Sequence, residues 1–291
     1  MVSIIIINYH QQDLLFKCVD SIYKTIKSYP FETIIIDNST DEDINHLCNK
    51  YNNLKIIENR NEGFSQANNI GAGQSNGEYL LFLNADTIVK NDFLKNLIEI
   101  FDDKNIGAIG LKLYNEDGTF QLSFWKENTF FNEIQNKKNE KAFKQRNLNI
   151  IGRFESEYQN VSKVDWITGA AMLVRKEIFN KIGGFDEDYF LFYEDADICK
   201  WLKMEGYKII FYPFSKIIHL KGENINEQFI KTTYLYSKQS QLIYYKKHNN
   251  FFNRVLLTTY LMMKFLFLSL FTLKKINFRI LLMILGLRNT K

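Results

Sequence analysis

An α/β fold, with a largely parallel sheet covered by helices, is what this 291-residue sequence predicts, and three observations predict it. Short β-branched runs alternate with amphipathic stretches through the first half of the chain. Those runs are almost continuously apolar, as strands buried on both faces are. Each ends in polar residues, at the place where open parallel sheets collect ligands.

The first run, Val2 to Asn8, starts directly behind Met1 with no basic or cleavage-like stretch, so it reads as a strand and not as a signal peptide. Leu15, Val19, Ile22 and Ile26 then recur at helical spacing behind Asp13, a candidate N-cap residue. Further strands are predicted at Thr33 to Asp37, Leu54 to Glu58 and Tyr79 to Leu83. Their polar ends are Asn8-Tyr9, Asp37-Asn38, Asn59-Arg60-Asn61 and Asn84-Ala85-Asp86, four groups that the topology would gather at one crevice. From about Gln121 to Lys163 the periodicity is lost, which predicts a long lid-like excursion. Structure resumes at Val164-Asp165-Trp166, with a strand at Ala170 to Val174, a helix at Lys176 to Ile182, a Gly183-Gly184 break, a helix from about Asp195 to Glu205, and a strand at Lys208 to Tyr212.

Val255 to Leu273 is apolar except for Lys264 and a few hydroxyls, close to the roughly 20 residues of a membrane span. Basic residues flank it (Lys246, Lys247 and Arg254 before; Lys274, Lys275 and Arg279 after), and a second apolar run follows at Ile280 to Leu287. The pattern favours helices lying in a membrane interface, over a true span or a pair of core-packing helices.

A formal charge of +4 without a concentrated basic stripe argues against nucleic acid as a partner. Cys18, Cys48 and Cys199 are odd in number, far apart and without C-x-x-C spacing, which implies a reducing compartment and no disulfide framework or zinc knuckle. No G-x-G-x-x-G follows the first strand and no P-loop is present, so dinucleotide-dependent dehydrogenases and P-loop kinases lose support.

Three features carry chemistry. Asp86 closes an apolar strand, where its carboxylate would bridge a hard divalent cation to a diphosphate, although Asp at a strand end is by itself commonly a turn residue. Glu194-Asp195-Ala196-Asp197 places three carboxylates at a helix start, which suits capping and the helix dipole, but their crowding also raises carboxyl pKa values toward those of a general base. His219 follows a strand and is either a structural residue or a metal ligand. In addition, the Gly- and Ala-rich stretch from Gly63 to Gly73 suits a helix packed closely on the sheet with its amides toward an anion.

Together these residues resemble family-2 glycosyltransferases of the GT-A fold, in particular the bacterial branch that includes rhamnosyltransferases of cell-surface polysaccharide assembly. The resemblance runs from Val2 to Gly222. It rests on Val2 to Tyr9, Ile36-Asp37-Asn38-Ser39, Asn61-Glu62-Gly63-Phe64 through Gly71, Gly77 through Thr87, Trp166 to Leu173, Gly183-Gly184-Phe185-Asp186-Glu187 and Tyr193-Glu194-Asp195-Ala196-Asp197. It implies that Asp37 reads the base or ribose of a nucleotide sugar, with Asn8, Tyr9, Asn38, Asn61, Gly63, Asn84 and Ala85 in the same pocket. Asn68 falls where many relatives place a phosphate-contacting Arg, leaving positive charge to a Mg²⁺ or Mn²⁺ ion. Asp86 matches the last Asp of a D-x-D metal motif whose first position is Asn84 here, and His219 resembles the histidine that completes the metal shell in some relatives. Asp195 matches the base that deprotonates the acceptor hydroxyl, with Glu194 as its neighbour, while Trp166, Thr168 and Gly169 belong to the acceptor side. Trp201 stands where relatives often have Arg.

The resemblance further implies an inverting transfer of a sugar, with dTDP-L-rhamnose as the first choice of donor, to a lipid-linked saccharide at the cytoplasmic face of a membrane. A UDP-hexose donor, or an inactive sugar-nucleotide-binding paralogue, is the alternative. A nucleotidyltransferase is disfavoured because Asn8-Tyr9-His10-Gln11-Gln12 lacks a Gly-rich basic loop. The expected organisation is a nucleotide-sugar-binding half at 1–120, an acceptor-binding half at 121–222 whose loops shape donor choice, and a membrane-associating helical segment at 223–291.

Overall fold

The computed structural model describes residues 1–39, 43–220 and 227–286. The amino-terminal part runs β1 (Val2–Asn8), α1 (Gln12–Thr25), β2 (Phe31–Asp37), α2 (His46–Lys50), β3 (Leu54–Glu58), α3 (Phe64–Gly73), β4 (Tyr79–Asn84), β5 (Thr87–Val89), α4 (Leu94–Ile100) and β6 (Ile106–Tyr114). The middle runs β7 (Phe120–Gln121), β8 (Phe124–Trp125), α5 (Phe130–Lys144), α6 (Leu148–Glu157), β9 (Ser162–Val164), β10 (Trp166–Ile167), β11 (Ala171–Arg175), α7 (Lys176–Lys181), α8 (Glu194–Met204) and β12 (Lys208–His219). Three helices follow: α9 (Glu227–His248), α10 (Phe251–Thr272) and α11 (Lys275–Ile284).

Among the described residues one mixed sheet has the order β3-β2-β1-β4-β11-β6-β12-β5, with β7 beside β6 and β9 beside β12. β1, β2, β3 and β4 are parallel, while β11 is antiparallel to both of its neighbours. Alternation along β1 explains why its isoleucines need two apolar faces. Val2, Ile4 and Ile6 pack with Leu15, Val19 and Ile22 of α1. Ile5 faces the other way, toward Phe82, Met172, Phe179 and Ile198. The register then places Asn8 opposite Asp37, and Ile7 opposite Asn84, so three strand ends share one edge.

Four sequence expectations need correction. α1 begins at Gln12 without a side-chain cap, so Asp13 lies in its first turn. The nine-residue strand β6 was invisible in the sequence because Gly107 and Gly110 interrupt its apolar run. The Gly110 position is required by packing, since a Cβ there would come within 2.5 Å of Ile167. The segment from Gln121 to Lys163 contains α5 and α6, capped by the side chains of Thr129 and Asn147. α5 turns Glu133, Asn136 and Asn139 inward, so it has no apolar stripe to read. Finally, β12 continues past Pro213 to His219, with an irregularity between Tyr212 and Ile217.

Candidate active site

At the edge of β1 and β2, Asn8 Nδ2 donates to Asp37 Oδ1 (2.9 Å), which also accepts from the Ser39 backbone N–H (3.0 Å) and hydroxyl (2.8 Å). Asn8 and Asp37 are buried, and Tyr9 beside them is exposed. Asn38 accepts from Asn59 Nδ2 (2.8 Å) and lies 3.4 Å from Asn61 Oδ1, which takes the Gly63 N–H at 3.3 Å. Gly63 has φ +115°, and a Cβ on it would lie 2.7 Å from the Phe190 carbonyl, so both backbone conformation and close approach require glycine. That approach docks the start of α3 on the loop before α8, through Phe64 N–H to Phe190 O (2.8 Å) and Ser65 Oγ to Tyr189 O (2.8 Å).

β12 returns antiparallel to β5 and sets His219 opposite Thr87. His219 Nε2 is thereby 3.3 Å from Asp86 Oδ1 and 3.5 Å from Asn84 Nδ2. The other ring nitrogen faces Gln121 Oε1 at 3.0 Å. Gln121 is oriented by its own amide group, which donates to His219 O and Asn115 Oδ1, both at 2.8 Å. A singly protonated His219 therefore carries its proton on Nδ1 and turns the Nε2 lone pair toward Asp86. A carboxylate with one imidazole nitrogen, and space for phosphate oxygens and water, is a donor set that fits Mg²⁺ or Mn²⁺. No cluster of three or more His, Cys, Asp or Glu occurs among the described residues.

A cavity of about 280 Å³ reaches some of these groups, while Asn8, Asp37 and His219 lie behind its lining. It is lined by Ile7, Tyr9, Gln11, Asn38, Asn61, Phe64, Asn84, Ala85 and Asp86, and on its far side by Phe190, Leu191, Thr232, Thr233 and Tyr236. Asn68 stands apart: it is buried and donates to Phe64 O within α3 (2.9 Å). A shallower depression beside the cavity is formed by Asn38, Glu58, Asn59, Arg60 and Asn61. The excursion between residues 121 and 163 lines other cavities, and its contribution here is Gln121.

The acidic motif starts α8 behind two consecutive left-handed residues, Phe192 and Tyr193, both at φ +69°. Such backbone costs energy in non-glycine residues and persists where the surroundings over-determine it. Here Leu191 O accepts from Ser240 (2.8 Å), and Tyr193 OH donates to buried Glu133 (2.5 Å), which also binds Gln241 and Tyr245 of α9. The three carboxylates then diverge. Asp197 accepts from Tyr189 OH (2.9 Å) and His248 Nε2 (2.6 Å), fastening α8 to α9. Glu194 is buried with Oε2 unbonded, and burial, with the Asp195 charge second, pushes its pKa far up. Asp195 accepts from Gly169 N–H (3.1 Å) and Ala196 N–H (2.8 Å), and burial raises its pKa to about 6 against those bonds. Burial is thus the leading cause of both shifts, and carboxylate crowding adds to that of Glu194 alone.

Of the residues expected on the acceptor side, Gly169 lies between Asp195 Cβ and the Phe64 ring, each 3.6 Å from where its Cβ would be. The neighbouring Ala170 carbonyl accepts from Asn84 N–H (3.0 Å), which places Asp195 next to the strand end that carries Asp86. Thr168 Oγ1 accepts from Ala170 N–H (3.3 Å), and Trp166 stacks on Trp125 (centroids 4.3 Å). Trp201 is exposed and meets the His248 ring edge-on. Sequence reasoning missed Gln121, Phe64, Phe190 and the α9 residues. The aromatic run Tyr189-Phe190-Leu191-Phe192-Tyr193 before the acidic motif was the available signal for Phe190.

Comparison with known proteins gives the family and the fold. The chain is 26% identical over 276 residues to "Rhamnosyltransferase WbbL" of Escherichia coli K12, covering 87% of this chain and 96% of that one. It is 23% identical over 225 residues to "dTDP-rhamnosyl transferase RfbF" of Shigella flexneri, covering 75% and 69%. Among solved structures, a mannosyltransferase from Pyrobaculum calidifontis in complex with GDP-Man and Mn²⁺ superposes with a TM-score of 0.56 at 16% identity, over 98% of this chain and 84% of that one, which shows the shared GT-A fold. The family Glycosyl transferase family 2 matches residues 3–183, well over half of the chain, and the protein is therefore a glycosyltransferase belonging to that family.

Proposed function

We propose that the protein is an inverting transferase that moves L-rhamnose from dTDP-L-rhamnose to a hydroxyl of a lipid-linked saccharide in polysaccharide assembly. The observation that carries the reading is the pairing of Asp86 with His219, 3.3 Å apart, where Asp86 lines the same cavity as Tyr9 and Asn38 beyond the ends of β1 and β2, with Asp195 bonded to the nearby Gly169 amide. Similarity to two rhamnosyltransferases supports rhamnose as the sugar.

In this mechanism Asn8 and Asp37 form the base or ribose end of the site, together with Tyr9, Asn38 and Asn61. Asp195 takes the acceptor hydroxyl proton as that oxygen attacks the anomeric carbon from the face opposite the diphosphate, which inverts the configuration. Gly169 and Ala196 hold the aspartate through their amides and keep it pointed. Burial opposes the ionisation of Glu194, which leaves Asp195 as the carboxylate for the base's role. Mg²⁺ or Mn²⁺ held by Asp86 and His219 would supply positive charge to the departing diphosphate.

Membrane association belongs to the same proposal. α10 is 22 residues long and apolar enough to cross a bilayer, yet Leu257, Leu261 and Phe265 are buried against α9 and α11. Its other face exposes Met263, Leu266, Phe267, Leu270 and Phe271. A helix with one face packed on protein, the other apolar, and Lys274, Lys275 and Arg279 nearby suits the interface of an anionic membrane, here the cytoplasmic face.

Calorimetric titration against dTDP-, UDP- and GDP-sugars, each with Mn²⁺ and with EDTA, tests the donor. Metal-dependent binding of dTDP-L-rhamnose that is lost in Asp86→Ala is expected. Binding of none of these by folded protein would defeat the proposal.

A further inference from the structure

We infer that α9, which lies beyond the segment matched by the family, is the wall against which the transferred sugar is held, and that Tyr236 with Thr232 and Thr233 selects that sugar. The inference rests on the crevice being a nucleotide-sugar site and extends it to the sugar moiety.

The cavity has two unlike sides. One is made of the strand ends of β1 to β4, with Tyr9, Asn38, Asn61 and Asn84-Ala85-Asp86. A nucleotide whose base end is at β1 and β2 and whose phosphates reach Asp86 fills that side. The remaining side consists of Phe64, Phe190, Leu191, Thr232, Thr233 and Tyr236. Tyr236 lies flat on Phe190, with ring centroids 4.3 Å apart and an interplanar angle of 23°. Phe190 is in turn fixed from both directions, its carbonyl by the Phe64 amide and the next carbonyl, Leu191 O, by Ser240 one helical turn after Tyr236. The Thr233 hydroxyl donates to Ile230 O (3.1 Å).

The chemistry of this side defines a class of sugar. None of the six residues is charged, so a uronic acid or a free amino sugar would lose its hydration without gaining a counter-charge. Hydroxyls of Thr232, Thr233 and Tyr236 match the edge of a neutral pyranose, and Phe64, Phe190 and Leu191 match apolar C–H groups. A hexose whose C6 is a methyl group satisfies both sets best, because it presents no sixth-carbon hydroxyl to the apolar residues.

The test compares a nucleoside diphosphate with its sugar ester on the full chain. Titrations with Mn²⁺ present would use dTDP, dTDP-L-rhamnose and dTDP-glucose on wild type, Tyr236→Ala, Tyr236→Phe and Thr233→Val. Wild type should bind dTDP-L-rhamnose more tightly than dTDP. Tyr236→Ala should lose that increment, about tenfold or more, while its affinity for dTDP stays within about twofold. Thr233→Val, which keeps the side-chain shape, should change the ratio of dTDP-L-rhamnose to dTDP-glucose affinities without touching dTDP. If Tyr236→Ala does not fold, Thr233→Val and Tyr236→Phe carry the same comparison. Equal losses for dTDP and its sugar esters, or no loss for any, would overturn the inference. So would a wild type that binds dTDP and dTDP-L-rhamnose equally, although the site reading would then survive. A wild type that binds no dTDP compound would instead remove the site reading itself.

Discussion

Asn8 and Asp37 end neighbouring parallel strands and, with Ser39 just beyond the second, bind one another at 2.8 to 3.0 Å, whereas Glu194, Asp195 and Asp197, within four residues of one another, find three separate environments. The first group is held by the ladder itself, since the register that pairs Asn8 with Asp37 is the same register that buries the isoleucines behind them. The second depends on a strained turn that α9 clamps through Ser240 and, by way of Glu133, through Gln241 and Tyr245. The difference teaches that one rim of the crevice is a consequence of strand pairing, while the other exists only when distant elements have assembled.

The sharpest test of that contrast is Asp195→Asn. It should lower kcat by roughly 10²- to 10⁴-fold while leaving the Kd of the donor, measured calorimetrically, unchanged. Equal damage to donor binding would mean that the two rims are not functionally separate. A removal on the other side is expected at Gln121. Gln121→Leu takes away the acceptor that holds Nδ1–H of His219, and should weaken Mn²⁺ binding in the presence of dTDP by about 10- to 100-fold, with His219 itself intact.

Acidity sharpens the comparison further. Because the pKa of Asp195 is raised to about 6, the rate of transfer should fall as pH drops through about 6, and Glu194→Gln should retain that limb. The same burial has a stability consequence. A carboxyl whose folded pKa lies above its unfolded value binds protons more readily in the folded state, so its contribution is largest at low pH and declines as pH rises above roughly 4.3. Glu194→Gln cannot ionise, and the difference in Tm between variant and wild type should therefore move in the variant's favour from pH 5 to pH 8. A constant difference would mean that Glu194 is not held protonated.

The smallest effect is expected furthest from the crevice. Replacing Lys274, Lys275 and Arg279 with Gln should reduce partition onto anionic vesicles by about 1 kcal/mol per charge, roughly fivefold each, and leave dTDP binding in solution unaltered. Partition that does not respond to these charges or to salt would remove the electrostatic part of the membrane proposal.

Much of this architecture was legible before folding. The isoleucine runs, the polar strand ends and the acidic helix start are local patterns, and each appears where its pattern requires. β6 escaped because two glycines, one of them making room for Ile167, broke the apolar signal. α5 escaped because its inward face is Glu133, Asn136 and Asn139, polar groups whose partners lie elsewhere in the chain. Asp86 and His219 were each ambiguous when read singly, and their meaning comes from a β12–β5 pairing that joins residues 87 and 219. Nothing local marks Gln121 or Tyr236, which act through contacts 98 and 46 positions away, with His219 and Phe190.

The sequence by itself thus determined the α/β fold, the polar edge of the parallel strands and the supply of carboxylates at the start of α8, because strand periodicity and chain-end chemistry are properties of short segments. Only the tertiary structure decided that one carboxylate rests on two backbone amides, one is buried with an unbonded oxygen and one clamps α8 to α9. That division follows from burial and from donors brought by Gly169, Tyr189 and His248, and neither exists until the sheet and α9 have closed around the turn.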